Sequence, residues 1–373
     1  MDLISLASGA SYFASPAMAT AAAIAALQAG HTSYGPTEGT PGLRQAVSQK
    51  YKSMGQDVEP EQVMITPGSK QALFNLFTVL LRQGDEVVVP TPAWFGFHEL
   101  MKYSCGTLVP LPTKQEEGYT LTPDMLRQAL NENSRILLLT NPGNPTGRIY
   151  TKEELEALLQ VTKQFPNLYI ISDEIYDHIT YSQPYTSLLS CMGAKKENTI
   201  LVNGFSKNFA MSGWRIGYIL GPQELVNKCI DFQASTFSGV SVFLQEAAQA
   251  TLEQSDNALK QMLPVLSENR HLMADALDSM AGVSYHLPDG AYYFFPDFSA
   301  CLQKKTPQGK LLQSSMDLAN YLQENYKLSI APGENFGAPG HARLSFAVEK
   351  NKLQEAMERL NDALVSLSLN RSV

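Results

Sequence analysis

The segment LVNGFSKNFAMSGWRIGY, residues 201–218, decides the fold of this chain. An apolar run leads into it, Lys207 stands eight residues before Arg215, and a second apolar run containing glycine follows. Lysine is almost never fully buried unless its amine is paired with an acid or takes part in covalent chemistry. A Schiff base to an aldehyde cofactor, with an arginine close by for a phosphate, is one example of such chemistry. The alternative is a surface lysine and arginine beside an ordinary strand, which this segment alone favours.

Composition excludes several classes of protein. At 373 residues the chain is long enough for two domains, and its net charge of −8 argues against nucleic acid and anionic membranes as partners. No signal peptide and no run long enough to span a bilayer are present. The cysteines lie far apart without a C-x-x-C pair, which indicates reduced thiols, no metal framework and a cytoplasmic protein. They are Cys105, Cys191, Cys229 and Cys301.

Short apolar runs alternate with helical patterns along most of the chain. The predicted strands are 63–66, 86–89, 136–140, 169–172, 199–202 and 216–220, and helices are predicted at 69–82 and 152–165. This alternation predicts an α/β fold with a mainly parallel central sheet flanked by helices. After Gly282 the pattern changes, and residues 283–298 are interpreted as two strands around a Pro-Asp-Gly turn. We therefore predict an N-terminal segment (1–30) packing on both lobes, a large domain (31–280) and a small α+β domain (281–373).

Several predicted strands end in residues suited to binding a ligand. Gly68, Ser69 and Lys70 follow a strand and open a helix, where free backbone N–H groups favour an anion. Asn144 and Asp173 follow two further strands, and side chains at the carboxyl ends of parallel strands meet in a crevice. Ordinary turns, or for Asp173 a helix N-cap, are the alternatives.

Three more residues belong to the same group of candidates. Trp94 lies in a turn-rich segment, where it is either a core aromatic or a face that stacks on a planar cofactor. Tyr34 lies in a loop rich in glycine and proline. Arg343 heads a strand, where its planar fork suits a carboxylate.

In this order the motifs SDEIY, NPGNPTG and SKNFAMSGWRIGY resemble those of the class I/II aminotransferases of pyridoxal-phosphate fold type I. The resemblance covers nearly the whole chain and is nearest to the aspartate and prephenate aminotransferase subgroup. It implies a ping-pong transaminase that moves an amino group between an L-amino acid and a 2-oxo acid. Lys207 would form the Schiff base and carry the proton, and Asp173 would pair with the pyridine nitrogen of the cofactor.

The resemblance also implies roles for the other candidates. Asn144 and Tyr176 would hydrogen-bond the 3-oxygen of the cofactor, and Trp94 would stack on its ring. Gly68, Ser69, Lys70 and Arg215 would hold the phosphate. Tyr34 would reach the phosphate of the neighbouring subunit, which implies a homodimer. Arg343, Gly9 and Asn144 would bind the substrate carboxylate.

Two departures from the family pattern bear on specificity. Gly204 replaces a serine that many members bond to the phosphate, so Lys70 is a candidate substitute. The loop that usually reads G-x-P-D-F is Gly9 to Phe13 here, and Tyr12 and Phe13 favour an apolar or aromatic substrate, or a broad range with glutamate or aspartate as donor. A C–S β-lyase on the same scaffold, and a non-enzymatic effector-binding protein, are the alternative functions.

Overall fold

The computed structural model describes residues 2–191 and 197–369. Twelve strands occur in this part of the chain: β1 (Ile4–Ser5), β2 (Val63–Thr66), β3 (Glu86–Thr91), β4 (Thr107–Pro112), β5 (Ser134–Thr140), β6 (Tyr169–Asp173), β7 (Thr199–Gly204), β8 (Gly217–Leu220), β9 (Tyr293–Phe294), β10 (Leu328–Ser329), β11 (Ala331–Pro332) and β12 (Ala342–Ser345). The described α-helices are α1 (Ala17–Gln28), α2 (Pro41–Ser53), α3 (Ser69–Leu80), α4 (Gly96–Met101), α5 (Pro123–Ala129), α6 (Lys152–Thr162), α7 (Gln223–Thr236), α8 (Val242–Glu253), α9 (Ser255–Leu259), α10 (Met262–Asp278), α11 (Ser315–Tyr326) and α12 (Lys350–Leu369).

The central sheet has seven strands in the order β2-β8-β7-β6-β5-β3-β4. All pairs from β7 to β4 are parallel, whereas β8 runs antiparallel to both of its neighbours. The predicted α/β class with a mainly parallel sheet is therefore confirmed. Strands β5, β6 and β7 end at the same edge, so the residues that follow them converge there.

Local sequence explains how several helices begin. The Thr151 hydroxyl accepts a hydrogen bond from the Glu154 N–H, and the Glu154 carboxylate accepts one from the Thr151 N–H, which forms a capping box at the start of α6. Thr40 caps α2 in front of Pro41. Helix α3 begins at Ser69 directly after Gly68. The edge strand β4 was not predicted, because its residues are only partly buried and it contains two prolines.

Two small sheets complete the fold. Strands β11, β12 and β9 form an antiparallel sheet, and β1 pairs in parallel with β10. The interpretation of residues 283–298 as two strands is wrong: the structure has one strand there, β9, and isolated bridges at Ser284, Gly290 and Asp297. The proposed division into domains at residues 30 and 280 stays a prediction. In the part of the chain described, no helix is long and apolar enough to cross a membrane.

Candidate active site

A cavity of about 390 Å³ opens at the carboxyl ends of β5, β6 and β7. Eight predicted site residues line it: Gly9, Ser69, Trp94, Asn144, Asp173, Tyr176, Lys207 and Arg343. The parallel strands bring Asn144, Asp173 and Lys207 together, whereas the N-terminal loop supplies Gly9 and strand β12 of the small sheet supplies Arg343. Gly68, Lys70, Arg215, Tyr34 and Tyr12 do not line the cavity.

Asp173 is the last residue of β6 and carries a buried carboxyl group. No helix begins there, so the alternative of an N-cap is wrong. Its Oδ1 has no hydrogen-bond partner in the described structure. Burial raises the pKa of Asp173 to about 7, although the backbone N–H of Ile175 opposes this change. A buried carboxyl oxygen without a donor is costly, so this atom is suited to a cationic N–H from a ligand.

The adjacent Glu174 shows what a purely structural carboxylate looks like in the same region. Burial also raises its pKa to about 7. Its oxygens accept hydrogen bonds from the hydroxyls of Ser172, Ser187 and Tyr185 and from the backbone N–H of Leu188. Because Glu174 is fully bonded and Asp173 is not, hydrogen bonding distinguishes the two carboxyl groups where the pKa does not.

Lys207 follows β7 and reaches the N-terminal loop. Its Nζ donates a hydrogen bond of 2.7 Å to the carbonyl oxygen of Gly9. The hydroxyls of Tyr292 and Tyr293 lie 2.8 and 3.3 Å from the same oxygen. The lysine therefore lies in the cavity beside Asp173. Its positive charge lowers the pKa of Asp173, but burial raises that pKa by more.

The turn before α3 forms a cradle of the kind that binds an anion. Gly68 has a φ of +86°, and a Cβ at this position would collide with the guanidinium of Arg215. At the start of β8, a Cβ at Gly217 would lie 2.5 Å from the backbone N of Ser69. Arg215 itself is held by a 2.7 Å bond from Nη1 to the Ser212 carbonyl. The absence of side chains at two glycines thus brings a helix N-terminus and a cation together.

Gly204, which replaces the expected serine, lies where a side chain has no room. A Cβ there would be 2.9 Å from Gly217 Cα and from the carbonyl oxygen of Ile216. Both contacts are to backbone, so they do not move aside easily. The replacement is therefore part of the close approach of β7 to β8.

Arg343 and Asn144 are directly bonded to each other. Nη1 of Arg343 donates to Asn144 Oδ1 at 3.0 Å, and Nη2 donates to the Ala7 carbonyl at 2.8 Å. The guanidinium lies 4.4 Å from the centroid of the Tyr293 ring and 5.0 Å from that of Phe336. Within residues 2–191 and 197–369 it forms no ion pair. A buried arginine without an acidic partner is suited to an anionic ligand.

Besides Gly68 and Arg215, three predicted residues lie outside the cavity lining. Tyr34 is 95 % exposed, and Tyr12 is 44 % exposed with its ring 4.3 Å from that of Phe13. The Nζ of Lys70 lies 5.2 Å from the centroid of the Trp94 ring, which does line the cavity. Tyr292 and Tyr293 were not predicted as site residues, because their segment was interpreted only as a strand.

Comparisons with known proteins agree with this arrangement. Residues 1–360 match the family model described as "Aminotransferase class I and II". An aspartate/prephenate aminotransferase of Nitrosomonas europaea is 34% identical over 367 residues, which are 97% of this chain and 92% of that relative. A bifunctional aspartate and glutamate/aspartate-prephenate aminotransferase of Petunia hybrida is 35% identical over 98% of this chain and 78% of the relative.

Solved structures give the same result. The crystal structure of the aspartate aminotransferase from Rhizobium meliloti superposes with a TM-score of 0.94 at 32% identity, over 98% of this chain and 92% of the other. An aspartate aminotransferase from Thermus thermophilus, solved with maleate, superposes with a TM-score of 0.90 at 34% identity, over 97% and 92% of the two chains. The chain belongs to the aminotransferase class I and II family, whose members use pyridoxal phosphate, and it is an aminotransferase.

Proposed function

We propose that the cavity binds pyridoxal phosphate and transfers amino groups from aspartate or glutamate to 2-oxo acids. The observation that carries this proposal is the unbonded, buried Oδ1 of Asp173 opposite the amine of Lys207. When bound, the cofactor supplies an aldehyde for the amino group and a protonated ring that withdraws electrons from the substrate α-carbon. The cradle of Gly68, Ser69 and Arg215 suits its phosphate.

The residues that line the cavity have separate tasks in this proposal. Asp173 would keep a proton on the ring nitrogen by placing a carboxylate against it. Lys207 would hold the cofactor through its amine and carry the proton of the substrate α-carbon, and the Gly9 carbonyl would hold that amine when it is free. Trp94 would cover the ring, and Tyr176 would donate a hydrogen bond to the 3-oxygen.

Asn144 and Arg343 bind the α-carboxylate of the substrate in the proposal. Their mutual hydrogen bond of 3.0 Å orients the guanidinium before substrate arrives. Lys70 stays a candidate for the phosphate and not for a second carboxylate, because it does not line the cavity; its Nζ lies 5.2 Å from the centroid of the Trp94 ring. The names of the relatives support aspartate or glutamate as the amino donor. An aromatic substrate held by Tyr12 has no support from the cavity lining, and it stays a prediction, as does a cytoplasmic location.

The test is an absorbance screen of half-reactions. Each amino acid is mixed with the cofactor-loaded protein in the absence of a 2-oxo acid, and loss of the absorbance of the lysine-bound cofactor is followed. We expect aspartate and glutamate to react fastest and Lys207→Ala to show neither the absorbance nor turnover. A preference for aromatic amino acids alone contradicts the proposed substrate class, and an active Lys207→Ala variant contradicts the proposed function. Pyruvate formed from a thioether without an acceptor would indicate the β-lyase.

We further propose a homodimer in which Tyr34 reaches the phosphate bound by the partner. The exposure of this tyrosine supports the proposal, because a tyrosine ring that is 95 % exposed in one chain is free to be covered by another. Mixing Lys207→Ala with Tyr34→Ala tests it. A hybrid dimer then has one site with both residues intact, so the mixture regains activity that neither variant has. Mixtures that only average the two parents contradict the proposal.

A further inference from the structure

Tyr293 lies at the junction of three parts of the candidate active site. Its hydroxyl is 2.9 Å from the hydroxyl of Tyr176 and 3.3 Å from the carbonyl oxygen of Gly9. Its ring lies under the guanidinium of Arg343, with 4.4 Å between the ring centroid and Cζ. The residue lines the cavity and is fully buried. One side chain thus touches the N-terminal loop, the segment after β6 and β12.

The distances indicate which way the Tyr293 proton points. The carbonyl oxygen of Gly9 already accepts a shorter hydrogen bond from Tyr292 (2.8 Å), and in the cofactor-free protein it accepts a second one from Lys207 Nζ (2.7 Å). The Tyr176 oxygen, at 2.9 Å, is the nearer acceptor for Tyr293. If Tyr293 donates to Tyr176, the proton of Tyr176 remains available for a ligand in the cavity. Burial keeps that proton in place, because it raises the pKa of Tyr176 well above its ordinary value.

We propose that Tyr293 is a positioning residue that donates a hydrogen bond to Tyr176 and thereby makes Tyr176 a stronger donor to the 3-oxygen of the cofactor. Hydrogen bonds in a chain polarise one another, so the second bond gains from the first. The inference rests on the proposed function, since it concerns the same cofactor. It adds a residue for which the sequence analysis assigned no role.

The test is a pH titration of the absorbance of the lysine-bound cofactor in wild type, Tyr293→Phe and Tyr181→Phe. A donor at the 3-oxygen stabilises its negative charge and so lowers the pKa of the imine nitrogen. Tyr293→Phe deletes one oxygen and weakens that donor, so we expect the midpoint to rise by about half a pH unit. Tyr181→Phe is the matched control, because its hydroxyl donates to the Ala291 carbonyl and not to Gly9 or Tyr176. It should leave the midpoint unchanged within about 0.2 unit.

A double-mutant cycle separates this role from a general loss of packing. With Tyr176 already changed to Phe, the further change Tyr293→Phe should not move the midpoint, because the hydroxyl it acts on is absent. An unchanged or lowered midpoint in Tyr293→Phe overturns the inference, as does an equal shift in Tyr181→Phe or a full shift without the Tyr176 hydroxyl. If wild type shows no pH-dependent absorbance with pyridoxal phosphate, the proposed function itself fails.

Discussion

Substitution of Asp173 by Asn should make the cofactor-free protein more stable and the enzyme inactive. The carboxyl group is buried and its Oδ1 has no partner, and its pKa rises from 3.8 to about 7 on folding. The folded state therefore retains a proton that the unfolded chain has lost. Stability is highest below the ordinary pKa and falls as the pH rises towards about 7. Asparagine has nearly the same shape and no charge to bury, so it avoids this loss.

The difference between the two pKa values sets an upper limit to the gain. It corresponds to about 4 kcal/mol above pH 7 and to about 2 kcal/mol near pH 5, because pH 5 lies only about one unit above the ordinary pKa of the carboxyl group. The assay is urea denaturation of the cofactor-free protein at about pH 5 and about pH 8.5. We expect the stabilisation of Asp173→Asn over wild type to be larger at the higher pH by about 2 kcal/mol or more.

Asp177→Asn is a matched control of opposite sign. This carboxylate is also buried, but Lys50 lies 2.6 Å away and, with Asn203 and Asn208, satisfies it. Burial is the largest single effect and acts against the charge, but Lys50, His178 and the hydrogen bonds to Asp177 together outweigh it, so the pKa of Asp177 is lowered. The contribution of the ionised Asp177 to the stability of the fold is present above its ordinary pKa and is lost as the pH falls. Asp177→Asn should therefore destabilise the protein at about pH 8.5. The reasoning is refuted if Asp173→Asn destabilises the cofactor-free protein at that pH, or if its gain does not grow with pH.

Three further substitutions test other parts of the site. Gly68→Ala should lower the affinity for pyridoxal phosphate by tenfold or more in equilibrium dialysis, because the added Cβ meets Arg215 and the backbone has positive φ; unchanged affinity contradicts the cradle. Arg343→Lys should reduce kcat/KM by about a hundredfold, since an ammonium cannot form the bidentate hydrogen bonds of a guanidinium to a carboxylate. A variant that loses stability but keeps its kcat/KM would contradict this role. Lys50→Met should destabilise the fold by about 3 kcal/mol in urea denaturation at neutral pH by leaving Asp177 buried and unpaired, and Lys50→Arg should lose less.

The order of the motifs was enough to predict most of the cavity. Asp173, Asn144 and Lys207 each follow an apolar run, and the rule that parallel strands end at one edge brings them together. The start of α3 at Ser69 could also be predicted from the sequence, because Gly68 interrupts the apolar pattern directly before it. Local chemistry therefore determines which residues stand at the ends of strands.

Other contacts depend on distances that local sequence does not contain. Tyr293 meets Gly9 across 284 positions of the chain, and the register of β9 against β12 decides that it faces the cavity. Gly204 was interpreted as the loss of a phosphate ligand, whereas the structure shows that the backbone of Gly217 leaves no room for a side chain.

The sequence by itself determined the fold class, the family and the candidate residues at the strand ends, because strand periodicity and the residues after each strand are local properties. Only the tertiary structure decided which carboxyl group has an unbonded oxygen and which tyrosine joins the candidate site. Asp173 and Glu174 are adjacent carboxylic acids and both are buried, and the donors that other segments bring to Glu174 distinguish them. Hydrogen bonding depends on positions within a few tenths of an ångström, and packing between distant segments sets those positions.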